Sequence, residues 1–86
     1  MFYIWGRPNC IWCERAKDFL LERAEPFHYM ELTADNIDAF NMWVGPNVRT
    51  VPQIFWNHRL VGGYDDMKRM WYTVPKELFN TYIVEH

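Results

Sequence analysis

Gly6-Arg7-Pro8-Asn9-Cys10-Ile11-Trp12-Cys13 carries the only two cysteines of the chain, between a short apolar run and the start of a helical pattern. A helix N-terminus presents unpaired N–H groups and a partial positive charge, so a thiolate at Cys10 is stabilised there. The thiolate is the form that attacks disulfides and binds metals. The i, i+3 spacing sets both sulfurs on one side of the first turn, close enough to bridge. Cys10 falls at the exposed end and Cys13 on the apolar face, which casts Cys10 as the low-pKa nucleophile and Cys13 as the resolving thiol. Arg7 adds positive potential three residues before Cys10, and in such motifs a cysteine pKa falls from about 8.5 toward roughly 3.5–7.5. Inert burial is the plainer alternative, since free cysteine behaves as a small hydrophobe. A zinc site is the other. Tetrahedral zinc needs four ligands, and His28, His58 and His86 are far apart and unpaired, so no metal site is expected within the chain.

The elements follow outward from the dithiol. Phe2 to Trp5 is a β-branched and aromatic run without alternation, stopped by Gly6 and Pro8, and reads as a buried strand. From Cys10 to about Ala24 the apolar residues Cys13, Ala16, Leu20 and Ala24 recur at helical spacing, opposite Glu14, Arg15, Asp18 and Glu22. Pro26 ends that helix. Phe27 to Leu32 is a second strand. Thr33-Ala34-Asp35-Asn36 caps a short helix through about Val44. Gln53 to Trp56 and Leu60 to Gly62 are two further strands joined by a tight turn at Asn57-His58. Asp65-Asp66 opens another helix with Met67, Met70 and Trp71 inward. Pro75 begins a last helical piece with Leu78, Phe79, Tyr82 and Ile83 inward. The tryptophans fit core or half-buried positions, except Trp12, which lies between the cysteines. The order β-α-β-(α)-β-β-α, with the dithiol between the first strand and its helix, is a thioredoxin-like arrangement.

Residues 1–86 make one expected domain, with material for a single modest core. Half the residues are hydrophobic and 19% are aromatic, which excludes a disordered chain. A formal net charge of −2 leaves no basic footprint for nucleic acid. No apolar run approaches the roughly 18 residues that span a bilayer. Met1-Phe2-Tyr3-Ile4-Trp5 lacks the basic lead and cleavage site of a signal peptide. The expected location is the cytoplasm, where a close cysteine pair is more often redox-active or metal-binding than a staple.

Two other stretches carry chemistry. In Thr50-Val51-Pro52, a cis bond before Pro52 would expose the Val51 backbone to a peptide-like ligand, whereas most X–Pro bonds are trans. In Gly62-Gly63-Tyr64-Asp65-Asp66, the glycines allow close approach to the backbone, the helix start offers N–H groups to a carboxylate, and the aspartates suit an ammonium group. Alone, this stretch also reads as a plain acidic cap.

Taken together, these three motifs, in this order and with these gaps between Ile4 and Trp71, resemble the glutaredoxins. The resemblance implies an α/β fold of thioredoxin type, with a four-stranded mixed sheet in the order 2-1-3-4 flanked by helices. It implies glutathione-dependent thiol–disulfide exchange by Cys10 and Cys13, with glutathione as co-substrate and no tightly bound cofactor. It also implies a cis Val51–Pro52 bond, and a glutathione groove formed by Trp12, Thr50, Val51 and Pro52, with Tyr64, Asp65 and Asp66 at the γ-glutamyl end. Arg7 matches a basic position near the glycine carboxylate. The implied partners are disulfide-bearing proteins such as ribonucleotide reductase, met by a monomer. Two departures stand out. Ile11 and Trp12 replace the proline and tyrosine of the common Cys-Pro-Tyr-Cys site, and Pro75 interrupts what is usually one terminal helix. Some relatives lacking that proline bridge a [2Fe–2S] cluster between two subunits with glutathione, which is the alternative reading here.

Overall fold

The computed structural model describes residues 1–81. Its centre is β1 (Phe2–Gly6), paired in parallel with β2 (Phe27–Glu31) and antiparallel with β3 (Gln53–Trp56). β4 (Arg59–Gly62) pairs antiparallel with β3, completing a mixed sheet in the order β2-β1-β3-β4, as the resemblance implied. The lack of alternation in β1 now has a cause, because helices cover both faces of the sheet. Phe2 and Ile4 point with Ile54 and Val61 into a core closed by α1 (Ile11–Glu22) and α3 (Tyr64–Thr73). Trp5 points the other way, with Phe55, onto Phe40 of α2 (Ile37–Val44). Strand side chains alternate between faces, so the run Phe2–Trp5 of β1 and Ile54–Trp56 of β3 are apolar on both faces, and the one buried polar side chain of β3, Gln53, lies at its start. No helix among the described residues is long and apolar enough to cross a membrane.

α1 sets the geometry of the site at its first residue and is stopped by a local device rather than by Pro26. Cys10 takes extended backbone angles as the N-cap, and its sulfur accepts the Cys13 N–H at 3.2 Å. At the other end the Glu25 N–H reaches the Leu20 carbonyl at 2.9 Å and the Ala24 N–H the Leu21 carbonyl at 3.0 Å. This is the paired bonding of a Schellman cap, and it ends the helix at Glu22, two residues before the periodicity predicts. Its left-handed residue is Ala24, at φ 52°. An alanine there carries a Cβ penalty that glycine does not. Ala24→Gly is expected to raise stability by about 0.5–1 kcal/mol, measured as a shift of the urea midpoint at unchanged slope.

Two expectations fail locally. Asn36 occupies the N-cap position of α2 without capping it. Its side chain instead accepts the Thr33 N–H at 2.7 Å and donates to the Glu31 carbonyl at 2.8 Å, so it ties down the preceding loop. Residues of this type bond nearby backbone in several ways, and the loop competes with the helix for them. The piece after Pro75 is a 3₁₀ helix, Lys76–Thr81, on which Phe79 is buried while Leu78 is 51% exposed. An i+3 repeat of the 3₁₀ type cannot turn both residues inward. Phe79 packs edge-on to Phe2 and Trp56. The Lys76 ammonium meets the buried Glu25 carboxylate at 2.7 Å, pinning this piece to the end of α1. Tyr82 and Ile83 lie outside the described residues.

Candidate active site

The two cysteines are joined as a disulfide, with their Cα atoms 5.2 Å apart. Cys13 faces the core and is fully buried, whereas Cys10 is half-buried at the helix start. The Cys10 sulfur lies 3.9 Å from the Val51 carbonyl oxygen. Between them Ile11 is 60% and Trp12 47% exposed, so the apolar character of this stretch is turned to solvent rather than into the core. The preceding loop is held from the β2 side. The Tyr29 hydroxyl donates to the Arg7 carbonyl at 3.5 Å, and the Lys17 ammonium sits 4.2 Å above the Tyr29 ring. Burial pushes the Tyr29 phenol above its ordinary value, against the opposing pull of Lys17. The Glu14 carboxylate, 2.9 Å from Lys17, holds that ammonium above the usual lysine value. Both residues therefore keep their neutral-pH charge states well past neutrality.

Beside Cys10 opens a groove of about 720 Å³. One side is the segment before β3, where the Val51–Pro52 peptide is cis. The buried Gln53 side chain donates from Nε2 to both the carbonyl and the hydroxyl of Thr50, at 3.0 Å each, and so locks the loop that presents Val51. The other side is the turn from β4 into α3. Asp66 Oδ2 accepts the Gly63 N–H at 3.1 Å, closing the helix start, and its Oδ1 lies 3.3 Å from Arg69. The first-turn N–H groups of α3 have no partner within the helix. Trp12 reaches across from α1 to Tyr64, with their rings 5.7 Å apart and tilted by 40°.

Of the residues singled out from sequence, Trp12, Thr50, Val51, Pro52, Tyr64, Asp65 and Asp66 all line this groove. Arg7 does not. Its guanidinium turns to the Arg49 carbonyl at 3.3 Å and bridges the two loops outside the lining. Val48, Gln53 and Leu60 also line the groove and were not singled out. Nothing in their local pattern marks them, because a Gln or Leu within a strand, or a Val in the loop before one, reads as packing. Among the described residues no cluster of three or more His, Cys, Asp or Glu side chains has the geometry of a metal site.

Residues 1–61 match the family model described as Glutaredoxin. The chain belongs to the glutaredoxin family. It is 36% identical over 72 residues to glutaredoxin 1 of Salmonella typhimurium, covering 76% of this chain and 83% of that protein. The solved structure of reduced Escherichia coli glutaredoxin superposes with a TM-score of 0.67 at 31% identity, covering 85% of this chain and 95% of that one. A buckwheat glutaredoxin–glutathione complex shares the fold, with a TM-score of 0.67 at 22% identity, over 83% of this chain and 67% of that one. Membership in the family, with the paired cysteines of a dithiol glutaredoxin, makes the chain a thiol–disulfide oxidoreductase.

Proposed function

We propose that this glutaredoxin reduces protein disulfides and glutathione mixed disulfides at the expense of glutathione, with Cys10 as nucleophile and Cys13 as resolving thiol. The observation that carries this reading is the position of the Cys10 sulfur, 3.9 Å from the Val51 carbonyl at the side of the groove. Val51 offers backbone groups to an extended peptide-like ligand. At the far end, the α3 start suits a carboxylate, and Asp65 and Asp66 suit an ammonium. These are the two charges of the γ-glutamyl end of glutathione. The buckwheat relative was solved with glutathione bound, which supports the same ligand here. Arg7, outside the lining, is assigned to the glycine carboxylate at the groove edge.

The Cys10 thiolate attacks one sulfur of the substrate disulfide, and the other sulfur leaves as a thiolate that takes up a proton. Cys13 gives up its proton and displaces the substrate sulfur from Cys10, closing the Cys10–Cys13 bond. One glutathione thiolate opens that bond as a mixed disulfide, and a second releases the dithiol and glutathione disulfide. Two electrons thus pass from two glutathiones to the substrate. Disulfide-bearing proteins such as ribonucleotide reductase are the proposed targets of a monomer acting in the cytoplasm.

The deciding assay is turnover of a glutathione mixed disulfide with glutathione as reductant, which is expected to be efficient. Preferential reduction by thioredoxin reductase would overturn the reading. So would a brown dimer with little exchange activity on fresh purification, the mark of a cluster-bridged pair.

A further inference from the structure

A second cleft of about 450 Å³ runs between α1 and α3 and shares Tyr64 with the groove. Its upper end is built from two ring–cation pairs. The Arg15 guanidinium lies 4.6 Å from the Trp12 ring centre, and the Lys68 ammonium 5.3 Å from that of Tyr64. The two rings are the pair that crosses the groove, 5.7 Å apart. Neither cation has a carboxylate within 4.0 Å among the described residues. A guanidinium laid on a ring keeps its N–H edge free, and that edge matches a carboxylate in two-point geometry.

The lower end is differently occupied. Arg23 donates to the Tyr72 hydroxyl at 2.6 Å and the Phe19 carbonyl at 2.9 Å, and it lies 3.7 Å from the Glu22 carboxylate. It closes the cleft and is already satisfied. Asp18 also lines the cleft, one turn along α1 from Arg15 and beyond ion-pair distance of it. The uncommitted positive charge is therefore concentrated at the end that adjoins the groove.

We propose that this cleft docks an acidic stretch of the protein substrate flanking its reactive cysteine, with Arg15 and Lys68 receiving the carboxylates. Because Tyr64 lines both the groove and the cleft, a chain leaving the groove on that side lies next to Arg15 and Lys68, and charge complementarity there selects among protein disulfides. The inference rests on the disulfide-reductase reading above and adds the chemistry of the preferred partner.

The test compares two short peptides with an intramolecular disulfide, one flanked on both sides by Glu-Glu and the other by Lys-Lys, alongside 2-hydroxyethyl disulfide as an uncharged substrate. Wild type is expected to favour the acidic peptide roughly tenfold in kcat/KM at low salt, with the preference falling as salt is added. Arg15→Gln/Lys68→Gln is expected to bring the ratio near one, and Arg15→Glu/Lys68→Glu to invert it, with turnover of the uncharged disulfide retained. Inversion separates charge from any loss of ring packing, since both double variants lose the stacked cations alike. A ratio that does not move, with the uncharged disulfide still reduced, overturns the docking proposal alone. Failure of wild type on all three substrates overturns the function proposal with it.

Discussion

Cys10→Ser is expected to abolish turnover of a glutathione mixed disulfide, a fall of roughly three orders of magnitude or more in kcat/KM. A serine hydroxyl does not ionise in the accessible range, so no amount of helix-end stabilisation makes it the attacking group. The substitution leaves the fold in place. Cys10 is the N-cap of α1 and accepts the Cys13 N–H, and serine is among the best residues at that position. Cys13→Ser is expected to keep much of the activity, because a second glutathione can resolve the mixed disulfide on Cys10. Cys13 is fully buried, and a hydroxyl without a partner there costs about 1–3 kcal/mol. Cys13→Ala is therefore the companion variant, and thermal melts of all three accompany the kinetics. Equal activity after the Cys10 and Cys13 changes would defeat the assignment of roles.

Gly62→Ala is expected to cost about 2–4 kcal/mol of stability and to weaken glutathione binding at the same time. Two causes add. Gly62 sits at φ 128°, a region that residues with a Cβ rarely adopt. A Cβ there would also collide with the Asp66 carboxylate. That carboxylate is not free to swing aside, because it accepts the Gly63 N–H at 3.1 Å and closes the start of α3. Moving it opens the helix end that borders the groove. Denaturant unfolding measures the first effect, and glutathione titration of the refolded variant measures the second. A variant as stable as wild type would show that this turn relaxes readily and that Gly62 is not what places Asp66.

Much of the fold was legible because its signals are local. The helical spacing of Cys13, Ala16 and Leu20, the apolar runs of β1 and β3, and the acidic opening of α3 each report on their own segment. The errors fall where two local options compete. Asn36 can cap a helix or bond the loop behind it, and the loop wins. Leu78 and Phe79 are equally apolar, and only the 3₁₀ geometry and the ring cluster around Phe2 decide that Phe79 goes in. The Glu25–Lys76 pair joins residues 51 positions apart and leaves no trace in either segment.

The site divides along the same line. The Cys10-Ile11-Trp12-Cys13 spacing at a helix start determined by itself that two thiols come together, one at the half-buried helix end and one inward, because they stand one helical turn apart. Tertiary structure alone decided what surrounds them. It set the Val51 carbonyl 3.9 Å from Cys10, brought Tyr64 within 5.7 Å of Trp12, and turned Arg7 out of the groove onto the Arg49 carbonyl. These contacts join separate strands and helices through the packing of the sheet, and no periodicity within one segment encodes the distance to another.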